Sequence, residues 1–198
     1  PSASSFSLNR VVGSTPSSIA GQLNSNGKLM LVNPNGVIIT PSGVVNTKSF
    51  TASTLDIKNQ DFLNDNYSFR GTGNSKGIKN AGKIRIGGGG HAALLGGYVS
   101  NSGVVTAKLG KIALGAGEKI TLDFVGDGLI TVTVPSNKLG VIKDINGNSL
   151  RSLVSNTGTL KANGGLIQLS AATARGLSRG AVNIGSTGSI IAQNVNSK

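Results

Sequence analysis

Asn80-Ala81-Gly82-Lys83-Ile84 returns 21 residues later as Asn101-Ser102-Gly103-Val104-Val105. The same Asn/Ser-x-Gly-x-apolar form stands at Asn156-Thr157-Gly158-Thr159-Leu160 and at Ser186-Thr187-Gly188-Ser189-Ile190, with a looser copy at Pro41-Ser42-Gly43-Val44-Val45. Within a unit a second Gly-x-Ile strand follows, as in Gly110-Lys111-Ile112 after Gly103. Short strands divided by turns at a period of about 20 residues are the mark of a solenoid. Each coil would add its inward Val, Ile and Leu to one stacked core, while Gly and Asn take the turns. Coils stack about 4.8 Å apart, so about eight of them would make a rod roughly 40 Å long.

The intervening sequence agrees. Lys28-Leu29-Met30-Leu31-Val32, Lys83-Ile84-Arg85-Ile86, Lys111-Ile112-Ala113-Leu114, Lys119-Ile120-Thr121-Leu122 and Gly165-Leu166-Ile167-Gln168-Leu169 are short and apolar, and Gly, Asn or Ser bounds them. That is a strand pattern, and helix periodicity is almost absent. Ile84, Ile86, Val105, Ile112, Leu114, Leu166 and Ile167 are expected to point inward. Two segments break the rhythm: one near 56–74, with Asp56, Asp61, Asp65, Phe62, Tyr67 and Phe69, and one near 123–153. Both read as hairpins or loops that leave the coil stack. Sandwiches and barrels show closer strand spacing and more aromatic cores, so an all-β parallel β-helix is the predicted fold.

Composition narrows the function classes. The 198 residues include 30 Gly, no Cys and no Trp, and 19 Lys and Arg stand against 7 Asp and Glu. Absent cysteine excludes disulfide scaffolds, thiol nucleophiles and zinc–cysteine sites. No apolar run has the roughly 18 residues of a membrane-crossing helix. Pro1 to Asn9 is Ser-rich and does not read as a signal peptide. The net charge of +12 is spread singly along the chain, without a basic cluster or aromatic platform, which argues against nucleic-acid binding.

Catalytic chemistry finds little to use. His91, the one histidine, follows Gly87-Gly88-Gly89-Gly90 and reads as a turn residue at a coil corner. One histidine and few carboxylates give no metal set, and no cofactor is expected. Asp123 and Asp127 form the best acid pair, of the kind that β-helix lyases and hydrolases place on a coil face. Glu118 is the only glutamate, however, and Asp127 sits in a Gly-Asp-Gly turn where Asp is favoured for local hydrogen bonds. The chain is read as a non-enzyme.

Asn33-Pro34-Asn35-Gly36-Val37 reads locally as a tight turn, with Pro34 fixing φ and Asn35-Gly36 tolerating positive φ. Its setting carries more. Arg10-Val11-Val12-Gly13, Ser18-Ile19-Ala20-Gly21-Gln22-Leu23 and Asn26-Gly27-Lys28-Leu29-Met30-Leu31-Val32-Asn33-Pro34-Asn35-Gly36-Val37-Ile38 resemble the secretion domain of filamentous haemagglutinin-like exoproteins, the passengers of bacterial two-partner secretion. The likeness continues through Phe50 to Ile57, Asp61-Phe62-Leu63 and Leu114 to Phe124, covering nearly the whole chain in order. The family domain normally begins earlier, with a capping region.

The resemblance implies a right-handed parallel β-helix with extra-helical excursions, residues 1–198 forming a single secretion domain of a larger exoprotein. It implies a partner, an outer-membrane barrel with periplasmic POTRA domains, and export through the periplasm and outer membrane of a Gram-negative bacterium to the surface or medium. Asn33, Pro34, Asn35 and Gly36 are the candidate secretion motif, and Lys28 and Lys48 are candidate electrostatic contacts with the POTRA domains. Host-cell glycans or receptors would be met through a downstream region. The alternative readings are a carbohydrate-active β-helix enzyme and an adhesin fragment that holds acidic glycans through its positive surface.

Overall fold

Short runs of β-branched and apolar residues, broken by Gly and Asn, fold into coils of three strands. The computed structural model describes residues 2–73, 75–124, 129–133, 143–144, 147–172 and 177–193. The first coil holds β1 (Phe6–Arg10), β2 (Ser17–Ile19) and β3 (Gln22–Asn24), and the second β4 (Lys28–Val32), β5 (Val37–Ile39) and β6 (Val44–Thr47). The third begins with β7 (Ser49–Ser53), leaves the stack through β8 (Asp56–Ile57), α1 (Asn59–Leu63) and β9 (Tyr67–Arg70), and returns as β10 (Gly77–Asn80) and β11 (Lys83–Ile86). The fourth is uninterrupted: β12 (His91–Gly96), β13 (Tyr98–Asn101) and β14 (Val104–Ala107). In the fifth, β15 (Lys111–Ala116) is followed by a second departure through β16 (Lys119–Leu122) and β17 (Ile130–Thr133) before β18 (Val154–Asn156) and β19 (Thr159–Lys161). The sixth holds β20 (Leu166–Ala171), β21 (Val182–Ile184) and β22 (Ser189–Ile191).

Corresponding strands pair in parallel from coil to coil. They form three six-stranded sheets: A (β1-β4-β7-β12-β15-β20), B (β2-β5-β10-β13-β18-β21) and C (β3-β6-β11-β14-β19-β22). This is a parallel β-helix of six coils among the described residues, not eight. The two departures take up chain that an even period would have spent on coils, so the stack is nearer 25 Å than 40 Å long.

Two ladders fix the register. Asn80, Asn101 and Asn156 stack in sheet B, wholly buried. The Asn80 amide donates to Asn101 Oδ1 and the Asn101 amide to Asn156 Oδ1, both at 2.7 Å. Two residues on, Gly43, Gly82, Gly103 and Gly158 form a column in which a Cβ would run into the backbone of the coil before. Gly90, Gly110 and Gly165 do the same at the corner leading into sheet A. In the copies at Pro41 and Ser186 the turn is two residues longer, so Ile39 and Ile184 pair where the asparagine would stand.

The inner core includes Val45, Phe50, Ile78, Ile84, Leu94, Val105, Ile112, Leu114 and Leu160. Ile167 packs against it, but Leu166 does not point inward. Leu166 pairs with Lys111, on the outer parity of sheet A, and is 38% exposed. A one-residue shift changes the face, and the glycine column sets which residue faces in.

A second core lies outside sheet A. Strands β8, β9, β16 and β17 form an antiparallel sheet, in the order β17-β16-β9-β8. Its Leu55, Ile57, Tyr67, Phe69, Ile120, Leu122 and Ile130 cluster with Met30, Val32, Ala93, Leu95 and Ala113 of sheet A. Sheet A is therefore buried on both faces, which explains why β4 and β12 read as continuous apolar runs.

Replacing Asn101 by Ala removes the middle of the ladder, stranding one amide and one carbonyl in the interior. Urea unfolding is expected to show a loss of about 2–5 kcal/mol. Ile84→Ala should fall in a similar range through its cavity, about 2–5 kcal/mol. Near-neutral values for both would contradict the ladder and the core assignment.

Candidate functional site

The Asn33–Gly36 turn carries the chain from sheet A to sheet B. The Gly36 amide donates to the Asn33 carbonyl at 3.1 Å, closing the turn, and Gly36 adopts a φ of 121°, outside the usual range of L side chains. Asn33 is fully buried. Its side-chain amide donates to Thr15 O at 3.0 Å and Ser17 Oγ at 2.9 Å, and its Oδ1 accepts from the Asn35 amide at 2.9 Å. The Asn35 side chain donates to Gly13 O at 2.7 Å. Ser17 N donates back to Gly36 O at 3.0 Å, and Asn33 N to Ser53 O at 2.9 Å. The turn thus clamps the 13–17 segment of coil 1 below to β7 above. Pro34 alone of the four is exposed.

Lys28 and Lys48 lie elsewhere. Lys28 opens β4, with its ammonium 5.9 Å from the Phe6 ring centroid. Lys48 stands at the corner one coil further on, donating to Gly88 O. The length of β4, roughly 15 Å, separates that corner from the turn, so the fold does not bring these lysines to the motif.

His91 follows the Gly90 corner directly, but it is the first residue of β12, a buried strand residue and not a turn residue. It is 8% exposed, stacks on Phe124 at 3.9 Å between ring centroids, and lies 3.1 Å from Thr51 Oγ1. Burial, with Lys28 and Lys111 adding positive charge, pushes its pKa down to about 3. Phe124 also meets Tyr67 at 4.9 Å, and Phe6 meets Phe62 at 5.0 Å and Tyr67 at 5.8 Å. This ring cluster ties coil 1 to both departures. Burial and the nearby Asp65 carboxylate hold the Tyr67 phenol protonated far above its usual range.

Glu118 and Asp56 make structural contacts. Glu118 accepts from the Gly73 amide at 2.9 Å, the Ser75 amide at 2.9 Å and Ser75 Oγ at 2.7 Å, joining the two departures. Asp123 is exposed, and Asp127 lies outside the described residues. Asp56 is held by Arg10 at 2.8 Å; the same guanidinium donates to Ile57 O at 2.6 Å and Asn59 Oδ1 at 3.0 Å. Sequence reading missed this clamp, because a pair 46 residues apart gives no local signal. Among the described residues no three His, Asp or Glu side chains converge into a metal-holding group.

The sequence matches the family model of the TPS secretion domain over residues 1–198. A heme/hemopexin-binding protein of Haemophilus influenzae is 33% identical over 174 residues, which is 82% of this chain and 17% of that protein. A second Haemophilus influenzae protein of the same name is 36% identical over 69 residues, 35% of this chain and 7% of its own length. This chain spans less than a fifth of the curated relatives it matches. The crystal structure of the HMW1 secretion domain from Haemophilus influenzae aligns with a TM-score of 0.74 at 34% identity, covering 92% of this chain and 44% of that one.

Asn33→Ala should cost about 2–4 kcal/mol in urea unfolding, since it orphans buried partners on both sides. Pro34→Ala should stay within about 1 kcal/mol. His91 binds a proton in the unfolded chain near pH 6.5 but in the folded domain only near pH 3. Its contribution is therefore complete above about pH 6.5 and declines as pH falls toward 3. Between pH 7 and 5 the loss should be about 2 kcal/mol. His91→Phe should flatten that slope; an unchanged slope would place the titration elsewhere.

Proposed function

Because this chain belongs to the family of TPS (two-partner secretion) secretion domains, we propose that residues 1–198 act as one export-initiating domain of a longer exoprotein, engaged by its outer-membrane transporter before folding. The chain is secreted across the outer membrane of a Gram-negative cell. The transporter is read as a barrel with periplasmic POTRA domains, and the Asn33-Pro34-Asn35-Gly36 segment as part of what those domains bind. Contacts with host-cell glycans or receptors are assigned to a downstream part of the protein.

The observation that carries this reading is the burial of Asn33. In the folded domain its amide and carbonyl oxygen are already hydrogen-bonded to Thr15, Ser17 and Asn35. A receptor can reach these groups only while the chain is extended, when the segment offers free amides to a strand edge. Folding then withdraws the motif, which favours release on the far side.

The first strand supports folding outside. Ser7 and Asn9 share the inner parity of β1 with Leu29 and Leu31, so β1 turns polar groups toward the coil interior. Its apolar Phe6 and Leu8 instead pack against the second core, and Arg10 bonds to residues 56, 57 and 59. Coil 1 therefore closes only after the first departure has emerged. At the other end Val182, Ile184 and Ile190 are 38%, 51% and 40% exposed, an apolar edge that a further coil would cover.

The test uses purified POTRA domains of the cognate transporter. A chain kept unfolded by Ile84→Asp and Leu114→Asp should bind them, the folded wild type at least about tenfold more weakly, and Asn33→Ala in the unfolded chain should reduce binding. Equal or tighter binding by the folded domain would overturn the order of events.

A further inference from the structure

All seven carboxylates of the chain (Asp56, Asp61, Asp65, Glu118, Asp123, Asp127 and Asp144) lie in the two departures, and none in the eighteen strands of the β-helix. The departures leave from the corner between sheets A and B. They supply partners to coil cations on those sheets: Asp56 to Arg10 and Asp144 to Lys79. Sheet C receives no such cover. Its outer face carries Lys83, Arg85 and Lys161, with Lys48 and Lys108 along its corner with sheet A. Among the described residues none of these five has a carboxylate partner.

Two depressions of about 430 and 410 Å³ open along this face. One is lined by Asn46, Thr47, Lys48 and Arg85 among others, the second by Thr106, Lys108, Lys161 and Asn163. The register makes Arg85 a neighbour of Asn46 and Thr106, and Thr106 a neighbour of Lys161. The depressions are therefore two coils apart, roughly 10 Å along the helix axis. Each also holds a buried side-chain oxygen without a hydrogen-bond partner: Thr47 Oγ1 in the first and Asn163 Oδ1 in the second. Thr47 shares the inward parity of Val45 and faces the coil interior, whereas Asn163 is half-buried at the wall of the second depression, where its side chain can turn to a ligand.

We propose that the outer face of sheet C is a binding surface for a linear acidic polysaccharide laid across the strands. Paired cations in each depression meet the anionic groups, and the Asn163 side chain at the wall of the second meets sugar hydroxyls. The regular spacing suits a chain with one acidic unit per repeat. No Phe or Tyr lies on the strands of sheet C, so bases have no stacking platform. Its one large exposed apolar side chain in the middle strands is Val104, which gives a bilayer little to bury. The activity would be additional to export and to the glycan or receptor contacts assigned to the downstream part, and rests on neither.

The intact domain is titrated calorimetrically with a chondroitin sulfate octasaccharide at low and moderate salt, with neutral dextran, duplex DNA and phosphatidylglycerol vesicles in parallel. Wild type should bind the octasaccharide best. Arg85→Ser with Lys161→Ser should weaken binding about tenfold or more and flatten its salt dependence. Lys58→Ser with Lys76→Ser, the same charge change elsewhere, should stay within about twofold. Asn163→Ala should lose affinity with the salt slope unchanged. Equal losses in both double variants, preference for DNA or vesicles, or no binding would overturn the proposal.

Discussion

Sheet A is apolar on both of its faces, and an apolar face left in water beside a polar solvent-facing solenoid would not be stable, so something must cover it. Leu29 and Leu31 of β4 face the inner core, while Met30 and Val32 face out. In β12 the same division puts Ala92 and Leu94 inside and Ala93 and Leu95 outside. The cover is the antiparallel sheet formed by the two departures. Burying a Leu, Ile or Phe side chain contributes about 1.5–3 kcal/mol, and at least seven side chains of the cover are involved. The aromatic residues gather there for the same reason, and Arg10 and Phe6 reach across from the first coil to hold the cover down.

The repeating part of this architecture was legible because stacking imposes a constraint on every coil at the same point. A glycine is required where one turn lies on the backbone of the next, and an asparagine at the ladder position bonds to its copy above and below. Such features recur in sequence at the coil period and can be seen without a structure. The departures were visible only as interruptions. What they touch depends on contacts across 40 to 60 residues, as with Arg10 and Asp56 or Phe6 and Tyr67. Leu166 was misread because alternation gives two parities and only the glycine column chooses between them. His91 was misread because its ring partner, Phe124, comes from the second departure. The Asn33 motif was legible as a turn, but its burial against Thr15 and Ser17 was not, since those partners belong to the coil before.

Export and folding make opposite demands on the same residues. In the proposed function the transported chain exposes the Asn33 side chain, whereas the folded β-helix bonds it to coil 1. In the proposed function Asn33 serves the two demands in sequence. The departures also carry the proposed order of folding: β1 has polar inner positions and takes its apolar contacts from chain that follows much later. The same departures hold the described acidic residues and leave the cations of sheet C without a carboxylate partner among the described residues. Cover, folding order and charge distribution thus share one origin.

The central claim is that the first coil and the cover form one cooperative unit. Hydrogen–deuterium exchange of the intact domain carrying Arg10→Gln tests this directly. Protection should fall together in β1 and in β9, which lie some 60 residues apart in sequence, while β13 and β14 keep theirs. Loss confined to β1, or an even loss across all coils, would contradict it.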